Sequence, residues 1–213
     1  MITTVIFDLD GLLADTERLH RQAYQTALSH HGVLVTDEQY SEHWIREGKS
    51  ITEWIRNHNL ALDADVVRQH KMRLYQQLID TSLKPMEGAL AALNRLQSAK
   101  LLGLASSSYE RDVRHVLRRL EITDCFRVIA TGNHVTKTKP SPEIFLYAAS
   151  ELGVAPENCV VIEDAEKGII AAHAAGMKSI AIPTDCTHNN DFSKATLILG
   201  SLHDVTLDLL NTL

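Results

Sequence analysis

Hydrophobic and polar positions follow two patterns that alternate along most of the chain. Short apolar runs, typical of strands buried on both faces, are followed by segments whose apolar residues recur with helical period. The predicted strands are residues 4–8, 101–106, 127–130, 159–162 and 179–182. The predicted helices between them are residues 110–120, 142–152 and 166–175. This alternation predicts an α/β fold with a parallel sheet and right-handed crossovers.

Individual residues sharpen three of these helix boundaries. Pro142 is predicted to occupy the first helical position after Ser141, which is a suitable N-cap. Gly153 and Gly176 come directly after helical segments and are predicted to end them.

One long region contains no convincing strand. Between residues 16 and 83 the apolar spacing predicts only helices, over 16–30, 36–47, 50–58 and 65–79. A crossover helix is much shorter, so this region is predicted to be an all-helical cap inserted into a core made of residues 1–15 and 84–213. A cap that is joined to the core by two linkers can hinge and exclude water from the end of the first strand.

Composition narrows the classes of function. The 213 residues are 45% hydrophobic, and the formal net charge of -6 argues against non-specific binding to nucleic acid. No apolar run approaches the roughly 18–20 residues that span a bilayer, and the N-terminus has no basic signal-peptide region. The three widely spaced cysteines form no CxxC motif. They are expected to be reduced, mostly buried small hydrophobes in a cytoplasmic protein.

Residues that carry chemistry lie where the predicted strands end. Asp8 and Asp10 close the first strand, Ser106 closes the second, and Glu163 and Asp164 close the fourth. The carboxyl ends of parallel strands meet at one edge of a sheet, where open α/β proteins bind ligands. Carboxylates held so close together repel one another, and a divalent cation is the simplest compensation.

Each of these features also has a purely structural interpretation. Acidic pairs at strand ends often serve as turn residues or helix caps, and the serines at 106–108 are equally suited to capping the following helix. Lys139, in the loop before Pro140, is by default a solvated surface lysine. The order of the residues favours a site: acidic, hydroxyl, lysine and acidic groups each occur at a strand-to-helix junction.

Together these motifs resemble a known group of enzymes. Asp8-Leu9-Asp10-Gly11, Ser106, Lys139-Pro140 and Glu163-Asp164 resemble the four signature motifs of the haloacid dehalogenase-like hydrolase superfamily. The helical insert after the first motif is similar to that of the subgroup with phosphoglycolate phosphatase-like enzymes and β-phosphoglucomutase. The resemblance implies a Rossmann-like core, a four-helix-type cap, Mg²⁺ dependence and phosphoryl transfer.

The resemblance also implies roles for individual residues. Asp8 is expected to be the nucleophile that forms an aspartyl-phosphate, and Asp10 the general acid and base. Ser106 is expected to hydrogen-bond a phosphoryl oxygen, and Lys139 to place its ammonium against phosphoryl and nucleophile charge.

The same resemblance implies a metal site. Mg²⁺ is expected to be held by the carboxylates of Asp8 and Asp164 and the backbone carbonyl of Asp10, with Glu163 a direct ligand or one that acts through water. Ala165 departs from the pattern, because many relatives carry serine at that position.

Substrate choice is expected to lie in the cap. His20 follows the outgoing linker by one helical turn, and Lys49 and Lys71 are candidates for a distal anionic group, as in β-phosphoglucomutase-like proteins. The alternative for both lysines is a solvated helix face. Trp44 and Trp54 are expected to pack in the cap core.

Three functions are compatible with these residues. The first is a phosphatase acting on a small phosphorylated metabolite, with a sugar phosphate preferred, in a protein that is a monomer or weak homodimer. The second is a phosphomutase of the β-phosphoglucomutase type. The third is a non-catalytic phospho-acceptor or binding domain, although receiver-like domains lack a helical insert of this size.

Overall fold

The computed structural model describes all 213 residues, which form two units. The larger unit comprises Met1–Asp15 and Lys84–Leu213, and the smaller unit comprises Thr16–Leu83. The larger unit contains every strand, and the smaller unit is entirely helical.

A six-stranded parallel sheet forms the centre of the larger unit, in the order β3-β2-β1-β4-β5-β6. The strands are β1 (Thr4–Phe7), β2 (Leu101–Ala105), β3 (Val128–Ala130), β4 (Cys159–Glu163), β5 (Lys178–Ala181) and β6 (Leu197–Ile198). The predicted α/β fold with a parallel sheet is confirmed, and five strands lie within a residue or so of their predicted bounds. The two-residue strand β6 was not predicted, because so short a run has no readable periodicity.

The central strand β1 is buried on both faces, as its apolar sequence requires. In register, Phe7 lies beside Leu104 of β2 and Ile162 of β4. The backbone N–H of Asp8 then donates to the carbonyl of Ile162 at 3.0 Å. Residues that follow β1, β2 and β4 are therefore brought to one edge of the sheet.

Helices flank the sheet of the larger unit. They are α5 (Ala89–Leu96), α6 (Glu110–Arg119), α7 (Glu143–Leu152), α8 (Glu166–Ala174) and α9 (Leu207–Thr212). Of these, α5 and α9 are short and were not predicted. The apolar face of α7 packs against the sheet, where Phe145 and Ile144 join Ile6 and Val161 in one buried cluster.

Helix α7 begins one residue later than predicted. Pro142 is the N-cap rather than the first helical residue, and it makes no side-chain cap hydrogen bond. Ser141 instead donates its hydroxyl to the carboxylate of Glu143 at 3.1 Å. At the other end, Gly153 adopts φ 67° and ends the helix as predicted, because the left-handed conformation is open to glycine at little cost.

The smaller unit contains four α-helices: α1 (Thr16–Ser29), α2 (Asp37–Tyr40), α3 (Ile51–Asn57) and α4 (Ala64–Ser82). A π-helix at Ser41–Arg46 continues α2, so the single α-helix predicted over 36–47 was wrong in its second half. Wider π-type hydrogen bonding shifts side-chain directions, and sequence periodicity does not report it. Trp54 is buried in the apolar cluster of this unit and Trp44 packs against that cluster, as predicted.

The burial of the three cysteine side chains differs from the expectation. Only Cys159 is buried, whereas Cys125 is half-buried and Cys186 is exposed, so the cysteines are not mostly buried. None of the three forms a disulfide. No helix in the protein has both the length and the apolar character needed to cross a membrane.

Candidate active site

Three carboxylates meet at the carboxyl edge of the sheet. Asp8 follows β1, while Glu163 ends β4 and Asp164 comes directly after it. Each residue offers one carboxylate oxygen, and these oxygens all lie within 4.8 Å of one another. All three residues are at least 90% buried, with exposures of 7%, 1% and 6%. Neighbouring strands in register thus produce a buried acidic cluster from residues far apart in sequence.

A buried lysine neutralises part of this charge. The Lys139 ammonium donates to Asp8 Oδ1 at 2.5 Å, to Glu163 Oε1 at 2.7 Å and to the Ala105 carbonyl at 2.8 Å. An ammonium has three N–H donors, so each one has a protein acceptor. The default interpretation of Lys139 as a solvated surface residue is excluded, because its side chain is 1% exposed. The Lys139–Pro140 peptide bond is cis.

Both carboxylate oxygens of Glu163 have partners within the protein. Oε1 accepts from Lys139, and Oε2 accepts from the backbone N–H of Ala165 at 3.0 Å. Glu163 therefore ties the ammonium to the loop after β4. Its role toward a metal, as direct ligand or through water, stays a prediction.

The side chain of Asp10 accepts hydrogen bonds from two serine hydroxyls. Its Oδ2 accepts from the Ser106 hydroxyl at 2.9 Å and from the Ser108 hydroxyl at 2.8 Å. The side chain of Asp10 is not part of the acidic cluster. The predicted metal contact of Asp10 uses its backbone carbonyl, and it stays a prediction. The sequence did not single out Ser108, because nothing in a run of three serines tells which hydroxyls reach a common acceptor.

Burial makes the acidic cluster costly to ionise. Desolvation raises the pKa of Asp8 from 3.8 to about 7, although the charge of Lys139 opposes the shift, and the charges of Glu163 and Asp10 add to it. Desolvation likewise raises the pKa of Asp164, with Glu163 and Asp8 adding to the shift.

The pKa of Lys139 is also raised, which for a lysine favours the charged form. Burial alone would lower the pKa of Lys139, but the negative charges of Asp8 and Glu163 outweigh it and hold the pKa above its usual range. When all three carboxylates are ionised, they carry two more negative charges than the one ammonium neutralises, and the raised pKa values of Asp8 and Asp164 reflect this repulsion together with burial. An all-oxygen donor set with excess negative charge fits a hard divalent cation.

Gly168 provides the space that this arrangement needs. It lies in α8, and a Cβ built there would be 1.8 Å from Glu163 Oε1. Alanine normally favours a helix over glycine by about 1 kcal/mol. We nevertheless expect Gly168→Ala to lower the free energy of unfolding by about 1–3 kcal/mol, because Glu163 must move.

Urea unfolding measures this effect. Gly200→Ala is the matched control, since no atom lies within 4 Å of a Cβ built at that position. Equal unfolding free energies for the two variants would show that the Glu163 contact is not constrained by α8.

The predicted substrate residues of the cap lie in the smaller unit. The Lys71 Nζ and His20 Nδ1 atoms are 2.6 Å apart, and the His20 ring stacks on Tyr75 with a centroid distance of 4.0 Å. The Lys71 ammonium also lies over the rings of Tyr75 and Tyr24, at 4.7 and 5.0 Å. Lys49 is further along the chain and pairs with Glu47 at 3.0 Å. His20 and Lys71 are thus brought together, while the roles of all three residues stay predictions.

The fold and site define an α/β protein with a buried carboxylate–lysine centre at the carboxyl edge of its parallel sheet. The chain belongs to the haloacid dehalogenase-like hydrolases, whose family model matches residues 5–182. This family consists of hydrolytic enzymes that generally use a divalent metal ion, in keeping with the buried acidic cluster.

Three proteins illustrate the similarity. The chain is 34% identical to a phosphorylated carbohydrates phosphatase of Thermotoga maritima, over 93% of this chain and 91% of that protein. It is 33% identical to the β-phosphoglucomutase of Bacillus subtilis, over 97% and 93% of the two chains. Its fold is similar to that of CbbY from Rhodobacter sphaeroides, solved with xylulose 1,5-bisphosphate. The TM-score is 0.87, the identity is 27%, and 99% of each chain is covered.

Proposed function

We propose that this protein is a Mg²⁺-dependent phosphatase that hydrolyses a small phosphorylated metabolite, preferably a sugar phosphate, through an aspartyl-phosphate. The observation that carries this proposal is the contact of the Lys139 ammonium with Asp8 Oδ1 inside the buried acidic cluster. It is supported by the relatives, which include a phosphatase of phosphorylated carbohydrates.

Asp8 is the nucleophile of the proposed reaction. Its carboxylate oxygen attacks phosphorus in line, so a bond forms between Asp8 and phosphorus while the bond from phosphorus to the leaving oxygen breaks. An ionised carboxylate needs no base to activate it as a nucleophile. Because burial disfavours ionisation, a positive charge next to Asp8 is needed to stabilise its ionised form. Lys139 supplies part of that charge. Its three N–H groups are committed to the protein, so it acts on the phosphoryl group through its field and on Asp8 through its hydrogen bond.

Asp10 moves the protons of both half-reactions. It gives a proton to the leaving oxygen in the first, and it takes one from the attacking water in the second, when the Asp8–phosphorus bond breaks. Ser106 donates its hydroxyl to a phosphoryl oxygen.

The carboxylates of Asp8 and Asp164 and the backbone carbonyl of Asp10 would hold Mg²⁺, with Glu163 assisting directly or through water. When bound, the ion supplies positive charge that offsets the repulsion between Asp8 and a dianionic phosphoryl group. The three buried carboxyl groups at this edge of the sheet, which outnumber the single ammonium, support the assignment.

Mg²⁺ binding is expected to depend on pH. In the metal-free protein the pKa of Asp8 is raised, from 3.8 to about 7. Asp8 then holds a proton in the native state that it releases in the unfolded state, so the contribution of Asp8 to metal-free stability falls as pH rises from about 4 to about 7. Mg²⁺ needs ionised Asp8, so the rise in melting temperature that it causes should be larger at about pH 8.5 than at about pH 5.5.

Thermal melts with Mg²⁺ or with chelator, at matched ionic strength, measure this difference. An equal shift at both pH values would show that the cation does not bind through Asp8.

The cap residues are assigned to the remainder of the substrate. If the Lys71 ammonium donates to His20 Nδ1, then that histidine is neutral and its ring proton is on Nε2. Lys71 and Lys49 supply positive charge for a distal anionic group. The CbbY structure with xylulose 1,5-bisphosphate supports a sugar ligand with two phosphoryl groups for this type of protein.

A panel of phosphorylated metabolites, assayed for inorganic phosphate with Mg²⁺ and then with chelator, tests the proposal. Mg²⁺-dependent phosphate release from a sugar phosphate is the expected result. No release from any member of the panel would contradict the phosphatase assignment.

Phosphomutase is the second candidate, favoured by 33% identity to a β-phosphoglucomutase. It shares the first step but returns the phosphoryl group to a sugar. The same assay with a sugar bisphosphate primer separates the two, because phosphate release without isomerisation excludes the mutase.

We further propose that the protein works in the cytoplasm, as a monomer or weak homodimer, on freely diffusing metabolites. None of its three cysteines forms a disulfide, which is typical of a reducing compartment. Its net charge of -6 is unsuited to a nucleic-acid partner.

A further inference from the structure

Two serine hydroxyls converge on one oxygen atom of Asp10. Ser106 Oγ lies 2.9 Å and Ser108 Oγ 2.8 Å from Asp10 Oδ2. The two serines are also joined to each other, because the backbone N–H of Ser108 donates to Ser106 Oγ at 3.1 Å. Asp10, Ser106 and Ser108 thus form one small hydrogen-bonded network at the edge of the sheet.

A hydroxyl carries a single proton, and this decides how the network responds to substrate. Under the proposed function, Ser106 donates that proton to a phosphoryl oxygen. It then has none left for Asp10, so its hydrogen bond to Oδ2 must break when phosphate binds. Of these two hydroxyl contacts, only the one from Ser108 can persist while the phosphoryl group is present.

We propose that Ser108 is a positioning residue that holds the carboxylate of Asp10 in place for proton transfer while Ser106 serves the phosphoryl group. This inference rests on the proposed function. A hydrogen bond on Oδ2 fixes the direction of the other carboxylate oxygen, Oδ1, which can then face the leaving oxygen and later the attacking water. General acid–base catalysis depends on such alignment, because the proton is transferred only within hydrogen-bond distance.

The backbone holds Ser108 independently of its hydroxyl. Its carbonyl accepts from the N–H of Gly132 at 3.0 Å. A Cβ at Gly132 would lie 2.6 Å from the carbonyl oxygen of Ser107, so the loop is packed closely against this glycine. Ser108→Ala keeps these backbone contacts and the N–H bond to Ser106. The substitution therefore removes the hydroxyl and leaves the loop in place.

The neighbouring residue provides a matched control. Ser107 Oγ is buried and has no hydrogen-bond partner. Ser107→Ala removes the same hydroxyl group from the same loop without removing a hydrogen bond. Ser108→Thr keeps the hydroxyl and tests rescue.

The first experiment compares two phosphate esters in a single turnover with Mg²⁺. Phenyl phosphate and p-nitrophenyl phosphate carry the same phosphoryl group, but only phenoxide depends strongly on protonation to leave. We expect Ser108→Ala to slow phenol release by about 10- to 100-fold, which is part of the 10²–10⁴-fold that general acid catalysis contributes. Release of p-nitrophenol should slow by less than about threefold. Ser108→Thr should restore phenol release, and Ser107→Ala should change neither rate.

The second experiment measures inhibition by inorganic phosphate. Ser106→Ala should weaken phosphate binding by about tenfold, because a charge-assisted hydrogen bond is lost. Ser108→Ala should leave the inhibition constant within about twofold, because its hydroxyl is assigned to Asp10.

Three results would overturn the inference. They are an equal loss with both esters, no loss with either ester, or phosphate binding weakened as much in Ser108→Ala as in Ser106→Ala. Absence of any Mg²⁺-dependent turnover in the unmodified protein, with these esters and with sugar phosphates, would instead overturn the proposed function and this inference with it.

Discussion

Replacing Asp8 with asparagine is expected to abolish phosphate release, with a loss of at least about 10⁴-fold in kcat, as for other enzymes that lose their nucleophile. Asparagine keeps the size of the side chain and the Oδ1 acceptor for Lys139. It lacks the anionic oxygen that attacks phosphorus. No phosphorylated chain should be found by intact-mass measurement after an acid quench, whereas the unmodified protein should show one.

The control for this variant is Asp208→Asn, which makes the same change at an exposed acid in α9. It should retain full activity, and both variants should keep their far-ultraviolet circular dichroism. Full turnover by Asp8→Asn would end the proposed mechanism, because no other carboxylate is assigned the attack on phosphorus.

Replacing Lys139 with alanine is expected to affect both catalysis and stability. The ammonium is buried and contacts two carboxylates, so its removal leaves three buried acidic groups without their counter-charge. Removing one partner of a buried ion pair typically lowers the free energy of unfolding by about 3–5 kcal/mol. Loss of one preorganised positive group should also lower kcat by about 10²–10³-fold.

The stability effect of Lys139→Ala should depend on pH and on metal. Without the ammonium, the pKa of Asp8 is expected to rise further, so the carboxyl can avoid the penalty by protonation at low pH. The destabilisation should therefore be larger at about pH 8 than at about pH 5, and Mg²⁺ should reduce it.

Urea unfolding at the two pH values, with Mg²⁺ or chelator, measures these differences. Lys137→Ala is the matched control: it removes an exposed lysine from the same loop, so its stability and activity should stay close to those of the unmodified protein. A Lys139→Ala variant as stable and active as Lys137→Ala would show that the buried contacts carry no function.

Activity and stability measurements on the two variants distinguish the role of Asp8 from that of Lys139. Asp8→Asn should fail in the first chemical step while the fold is kept. Lys139→Ala should retain slow turnover in a less stable protein. If both variants instead lost activity only through unfolding, the acidic cluster would be a structural feature of the sheet edge.

The sequence by itself determined the sheet and the positions of the acidic residues in it. Runs such as residues 4–7 are apolar at almost every position, which only a strand covered on both faces tolerates, and helical periods between such runs fix a parallel arrangement. Asp8, Ser106 and Asp164 could be predicted to lie at one edge, because parallel strands end on the same side.

The spacing of apolar residues along the chain did not predict other features of the structure. The π-helix at Ser41–Arg46 and the short strand β6 depend on hydrogen bonds and neighbours that a residue pattern does not encode. The same applies to Cys186, whose exposure depends on where its loop lies on the surface.

Only the tertiary structure decided which atoms meet. The sequence placed a lysine in a loop, but the fold buries Lys139 and divides its three N–H groups among Asp8, Glu163 and Ala105. The sequence singled out Ser106 but did not distinguish Ser107 from Ser108, yet Ser108 shares one oxygen of Asp10 with Ser106, and the hydroxyl of Ser107 has no hydrogen-bond partner. The physical reason is that a hydrogen bond between groups distant in the chain forms only when the donor–acceptor distance is correct to within a few tenths of an ångström. Hydrophobic periodicity constrains only which face of an element is buried.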